Sequence, residues 1–99
     1  MTSITVSELA ALDQPIVIDV REPDEIRAIR AVGVRPIPMS VFLERLDEVP
    51  QDDTVYIICA SGVRSARVVE YLNANGWDAV NVEGGTQAWQ RAGFPVEQD

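Results

Sequence analysis

The segment Val55-Tyr-Ile-Ile-Cys59-Ala-Ser-Gly-Val-Arg64-Ser65 brings together the residues of this chain best suited to chemistry. An apolar run ends on the only cysteine, followed by a small-residue turn with Gly62, then Arg64, then a helical pattern from Ser65 to Asn75. A thiol between a strand's carboxyl end and a helix N-terminus sits where backbone N–H groups and the helix dipole favour negative charge. Arg64 adds a full positive charge beside it. Both effects favour thiolate over thiol, the nucleophilic form. Cys59 is thus the candidate nucleophile, and Ala60, Ser61, Gly62, Val63, Arg64 and Ser65 are the candidate wall of an anion cradle. A cation in the first turn opposes the helix dipole, so Arg64 is better explained by an anion site than by stability.

The rest of the composition narrows the chemistry. The chain has no histidine, which excludes a Cys–His dyad, a Ser-His-Asp triad and a His-ligated metal. It has no lysine, which excludes Schiff-base chemistry and a P-loop lysine, and all eight cations are arginines, suited to forked contacts with oxyanions. What survives is a thiolate with arginines and backbone amides, needing neither metal nor cofactor. A net charge of −8 argues against nucleic acid as a partner. It also means that any anion must be held by local donors, since charges are screened over about 8 Å at physiological salt. No apolar stretch has the length of a membrane span, no signal-peptide pattern opens the chain, and one cysteine cannot form an internal disulfide. A reducing cytoplasm is the expected location.

Ninety-nine residues are expected to make one domain, 1–99, burying roughly 65% of the unfolded surface. The elements that must position Cys59 follow from periodicity. Strands are expected at Ile4–Val6, Ile16–Val20, around Ile37, at Thr54–Ile58 and at Ala79–Val82. Helices are expected from Glu8 to Leu12 behind a Ser7 cap, from Pro23 to about Arg30, and from Val41 to Asp47 behind Ser40. A fourth runs from Ser65 to Asn75, stopped by Gly76, and a fifth follows Gly84-Gly85 and carries Ala88, Trp89 and Ala92. Alternating strands and helices predict an α/β domain with a mostly parallel sheet and helices on both faces. In such folds ligands sit beyond the carboxyl ends of the strands, where Cys59 lies. Asp19 and Arg21 are expected to pair at a strand end and brace the loop; Arg67 faces either the pocket or solvent. Trp89 reads as core, and the acidic side chains as solvated surface.

These landmarks, in this order, resemble the rhodanese-like family over nearly the whole chain: Asp19-Val-Arg-Glu-Pro23, Ile37-Pro38, Cys59-x-x-Gly-x-Arg64-Ser65, Gly84-Gly85, Trp89 and Gly93-Phe-Pro95. The resemblance implies a three-layer domain with about five strands and Cys59 opening the active-site loop. It also implies sulfur transfer, in which Cys59 takes a sulfane sulfur from thiosulfate or a persulfide and passes it to a thiol or cyanide. The implied partners are a small anionic donor, a thiol or cyanide acceptor, and a protein that supplies or receives sulfur. The chain departs from the family at Ile29-Arg30, where many members carry Gly-His, and at Ala60, where several thiosulfate-using members carry a basic side chain. Two other functions compete: a non-enzymatic persulfide carrier or interaction module, and a cysteine-dependent phosphatase or arsenate reductase. The loops of the latter place one more residue between cysteine and arginine, and the shorter loop here suits a single sulfur better than a tetrahedral phosphate.

Overall fold

The computed structural model describes residues 2–99. Five parallel strands form its sheet, in the order β1 (Ser3–Ile4), β6 (Asp78–Val82), β5 (Thr54–Ile58), β2 (Ile16–Asp19) and β4 (Arg35–Pro36). Strand β5 is central, and its neighbours are registered so that Asp19 lies opposite Ile58 and Asn81 opposite Ile57. The carboxyl ends of β2, β5 and β6 therefore finish at one edge, directly under the Cys59 loop.

Side chains of a strand alternate between faces, and the two cores follow that alternation. Val55, Ile57 and Cys59 point to one face, with Val68, Val69 and Leu72 of α3 (Val63–Ala74) and Phe42 of the 3-10 segment Met39–Glu48. Ile58 points to the other, with Val6 and Leu9 of α1 (Val6–Ala10) and Trp89 of α4 (Gly85–Arg91). This is the expected three-layer α/β arrangement. Among the described residues, no buried side-chain nitrogen or oxygen lacks a hydrogen-bond partner. No helix among the described residues is long and apolar enough to cross a membrane.

Several local expectations are corrected. The cap of α1 is Thr5 rather than Ser7: its Oγ1 accepts from the Glu8 N–H at 3.1 Å, while Glu8 Oε1 accepts from the Thr5 N–H at 3.0 Å. This reciprocal box starts the helix early and confines the first strand to Ser3–Ile4. Helix α2 (Pro23–Ala28) stops before Arg30, because Arg30–Ala31 peels away as β3 and pairs antiparallel with β7 (Val96–Glu97). Neither segment alone signals that ribbon, because each two-residue strand depends on the other for its partner. The segment after Pro38 is 3-10 rather than α, with a kink at Arg45, and Met39, Phe42, Leu46 and Val49 turn inward at spacings of three and four. The strand placed around Ile37 is Arg35–Pro36, extended by the Ile37 N–H donating to the Asp19 carbonyl at 3.0 Å.

Candidate active site

Cys59 follows β5 immediately and is 1% exposed. Its Sγ accepts from the Gly62 N–H at 3.1 Å and from the Ser65 N–H at 3.4 Å, and lies 3.2 Å from Ser65 Oγ. The curl that allows this needs Gly62, the N-cap of α3, at φ +102°, a conformation side chains rarely adopt. α3 begins at Val63, two residues before the expected start, so Val63, Arg64 and Ser65 form its first turn. The N–H groups of a first turn have no intrahelical acceptor, and here the third of them is aimed at sulfur. Burial pushes the thiol pKa up. Hydrogen bonds from the Ser65 hydroxyl and from the N–H groups of Ser65, Gly62 and Ser61 outweigh it, leaving the thiol more acidic than usual.

Ser65 is fully buried, and its Oγ also lies 2.6 Å from Asn81 Oδ1. Asn81 Nδ2 donates to the Gly62 carbonyl at 3.2 Å, which fixes the amide's orientation. A hydroxyl has one hydrogen, so thiolate and Asn81 Oδ1 compete for it. In the thiol state the chain runs Sγ–H to Ser65 Oγ–H to Asn81 Oδ1; in the thiolate state the Ser65 proton turns to sulfur. The two N–H donors serve sulfur in either state.

The loop is held from behind by α4. The Thr86 N–H and Oγ1 donate to the Cys59 carbonyl at 2.8 and 3.1 Å, and the Gln87 N–H donates to the Ala60 carbonyl at 3.0 Å. Gly85 makes the approach possible: a Cβ there would overlap the Cys59 carbonyl oxygen and stand 2.7 Å from that of Ala60. Pulling these carbonyls back toward α4 leaves the loop's N–H groups facing the sulfur.

Arg64 is placed differently from the sequence reading. It does reach the loop, but its Nη1 and Nη2 donate to Glu25 Oε1 and Oε2 of α2, each at 2.8 Å. The guanidinium beside Glu25 holds that carboxyl down at about 2, and the pairing raises Arg64 in turn, with the Cys59 thiolate adding to the effect. The acidity of Cys59 therefore rests chiefly on hydrogen bonds, and the cation beside it is largely neutralised. Asp19 and Arg21 pair as expected and are buried, with Arg21 Nη2 2.9 Å from Asp19 Oδ2. Arg21 also donates to the carbonyls of Glu25 and Ile29, and so fastens α2, with Glu25 on it, to the sheet edge. Arg67 is exposed and borders a shallow cleft with Met39, Phe42, Leu43, Val68 and Tyr71, away from the sulfur's hydrogen bonds. Arg30, at the site of the Gly-His departure, pairs with Glu97 of β7 and with Asp99 beyond it.

Sequence reasoning missed two residues. Asn81 left a signal, a polar residue interrupting the apolar strand Ala79–Val82 much as Asp19 interrupts β2. Glu25 left none, because an acidic residue in a helix's first turn already has a sufficient explanation. Among the described residues no His, Cys, Asp and Glu cluster is suited to a metal.

The family model described as rhodanese-like domain matches residues 5–92. The chain is 36% identical over 89 residues to a sulfurtransferase of Allochromatium vinosum, an alignment covering 89% of this chain and 83% of that one. Its fold matches a crystal structure of a rhodanese-like domain protein from Staphylococcus aureus with a TM-score of 0.89 and 41% identity, covering 100% of this chain and 99% of that one. A rhodanese-related protein from Thermoplasma volcanium matches with a TM-score of 0.93 and 36% identity over 100% of both chains. With sheet order, loop and sequence in agreement, the chain belongs to the rhodanese-like domain family.

Proposed function

We propose that this protein is a sulfurtransferase that carries a sulfane sulfur on Cys59 between a small donor and a thiol or cyanide. The observation that carries the reading is the Sγ of Cys59, buried at the base of its loop and receiving the Gly62 and Ser65 N–H groups. The sulfurtransferase name of the Allochromatium relative supports the reaction class.

The thiolate attacks the outer sulfur of the donor. With thiosulfate, the S–S bond breaks, sulfite leaves with the bonding pair, and Cys59–S–S⁻ remains. With a persulfide R–S–SH, the R–S⁻ thiolate leaves and the proton on the transferred sulfur is lost to solvent, so that the same Cys59–S–S⁻ remains. The distal sulfur then carries the charge among the first-turn N–H groups of α3, whose dipole favours an anion. Cyanide or an acceptor thiolate attacks that sulfur, the Cys59 thiolate is expelled, and thiocyanate or a new persulfide departs. No step requires a general base once the thiolate has formed. The sequence holds a single cysteine, so release goes to an external acceptor.

Intact mass after exposure to thiosulfate, or separately to an alkyl persulfide, tests the proposal. The expected result is a gain of one sulfur in the wild type, reversed by cyanide and absent in Cys59→Ser. Loading without multiple turnover would point to a persulfide carrier. No loading with either donor would remove the sulfurtransferase reading, and Cys59-dependent hydrolysis of an aryl phosphate would replace it with a phosphatase.

A further inference from the structure

We infer that Glu25 is a specificity-determining residue that turns the Cys59 loop against compact dianionic donors such as thiosulfate and toward alkyl persulfides. The inference rests on the sulfurtransferase reading above and concerns which donor that site accepts.

The argument is one of charge around the sulfur. Arg64 is the cation of the loop, and both prongs of its fork are occupied by Glu25 at 2.8 Å. Glu25 is held in place: its Oε1 also accepts from the Glu22 N–H at 3.1 Å, it lies in the first turn of α2 where the dipole favours a carboxylate, and Arg21 ties α2 to the sheet edge through the Glu25 and Ile29 carbonyls. Arg21, which fastens α2 to the sheet edge, is matched by the buried Asp19. Ala60 contributes no charge. The two ion pairs cancel, and the loop is left with N–H dipoles alone.

N–H dipoles suffice for one negative charge on one sulfur atom. Thiosulfate brings a second charge, spread over sulfonate oxygens that would have to be accommodated at the loop beside Arg64, its own cation. There the attraction of Arg64 is offset by a carboxylate fixed to it. An alkyl persulfide places no sulfonate there, and its R–S⁻ leaving group carries a single charge out to solvent. The overall charge of −8 works in the same direction and offers the dianion no compensating field.

Glu25→Gln separates charge from shape. Glutamine keeps an acceptor for the Glu22 N–H and is itself a capping-box residue, so α2 is retained. The experiment is the second-order rate of sulfur loading on Cys59, followed by intact mass, with thiosulfate and with cysteine persulfide, at low and high salt. In the wild type, cysteine persulfide should load faster than thiosulfate. In Glu25→Gln, loading from thiosulfate should rise about tenfold while loading from cysteine persulfide stays within about twofold, and the gain should shrink as salt screens the charge. Glu25→Ser, which also removes the charge, should give the same shift should the glutamine variant fold poorly. An unchanged ratio between the donors, or an equal change for both, would overturn the inference while leaving sulfur transfer intact. No loading from either donor in the wild type would instead overturn the underlying reading, and this inference with it.

Discussion

At the scale of single residues, the thiol of Cys59 is made acidic by hydrogen bonds that burial opposes. Its folded-state pKa is below the ordinary thiol value, so the reactive thiolate is present above that lowered pKa and is lost as pH falls through it. Alkylation of Cys59 should therefore stay fast below the ordinary thiol pKa of about 8.5, and a titration midpoint at that value would contradict the assigned geometry. Ser65→Ala removes one donor but leaves both N–H groups, so it should slow alkylation at neutral pH by only about threefold, the worth of a single modest hydrogen bond. Arg64 has a larger lever. Truncating it leaves Glu25 charged beside the loop, and Arg64→Ala should slow loading from thiosulfate by more than about tenfold. Arg30→Ala should change loading less than about twofold, because its partners Glu97 and Asp99 are exposed side chains, and ion pairs at such positions are worth little.

At the scale of elements, β5 and α3 present the nucleophile, and α4 aligns the peptide planes between them. Gly85→Ala tests that division of labour. The added Cβ meets two carbonyl oxygens and forces a side chain into φ +56°, so α4 must withdraw from the loop. We expect a loss of about 2–3 kcal/mol, visible as a fall in melting temperature on the order of 10 °C, with sulfur loading slowed more than about tenfold. A variant that melts lower yet loads normally would show that α4 supports the fold and not the loop. The sequence made most of this level legible. The apolar runs of β2 and β5 announced buried parallel strands, and the strand, glycine, arginine and helix around Cys59 announced the loop. What it hid depends on partners distant in the chain. Glu25 meets Arg64 across 39 positions, and β3 exists only because Val96–Glu97 returns to it. The 3-10 segment looks like an α-helix in sequence because its inward residues fit either period. Ser7 resembles an α1 cap because a lone serine before a helical pattern looks like one, whereas the reciprocal Thr5–Glu8 pair decides the matter.

At the scale of the whole molecule, α2 and α3 are joined by a pair that acid should release. Glu25 has a folded-state pKa of about 2, below its ordinary value of 4.5. Its contribution to stability is thus complete above about pH 4.5 and is lost as pH falls from there toward 2. Denaturant midpoints measured across that range should fall more steeply for the wild type than for Glu25→Gln, and parallel curves would show that the pair adds nothing to the fold, as exposed pairs often do not. The contacts that sharpen Cys59 also impose an order in time. A chain emerging from the ribosome presents Cys59 before Asn81 or Thr86 has been added, and β6, which positions Asn81, must pair with β5 before the loop can take its shape. During synthesis the cysteine is therefore an ordinary thiol, no easier to oxidise than any other. Its sulfur is fully framed only once β6 and α4 have added Asn81 and Thr86, so that the most vulnerable atom of the molecule becomes vulnerable late.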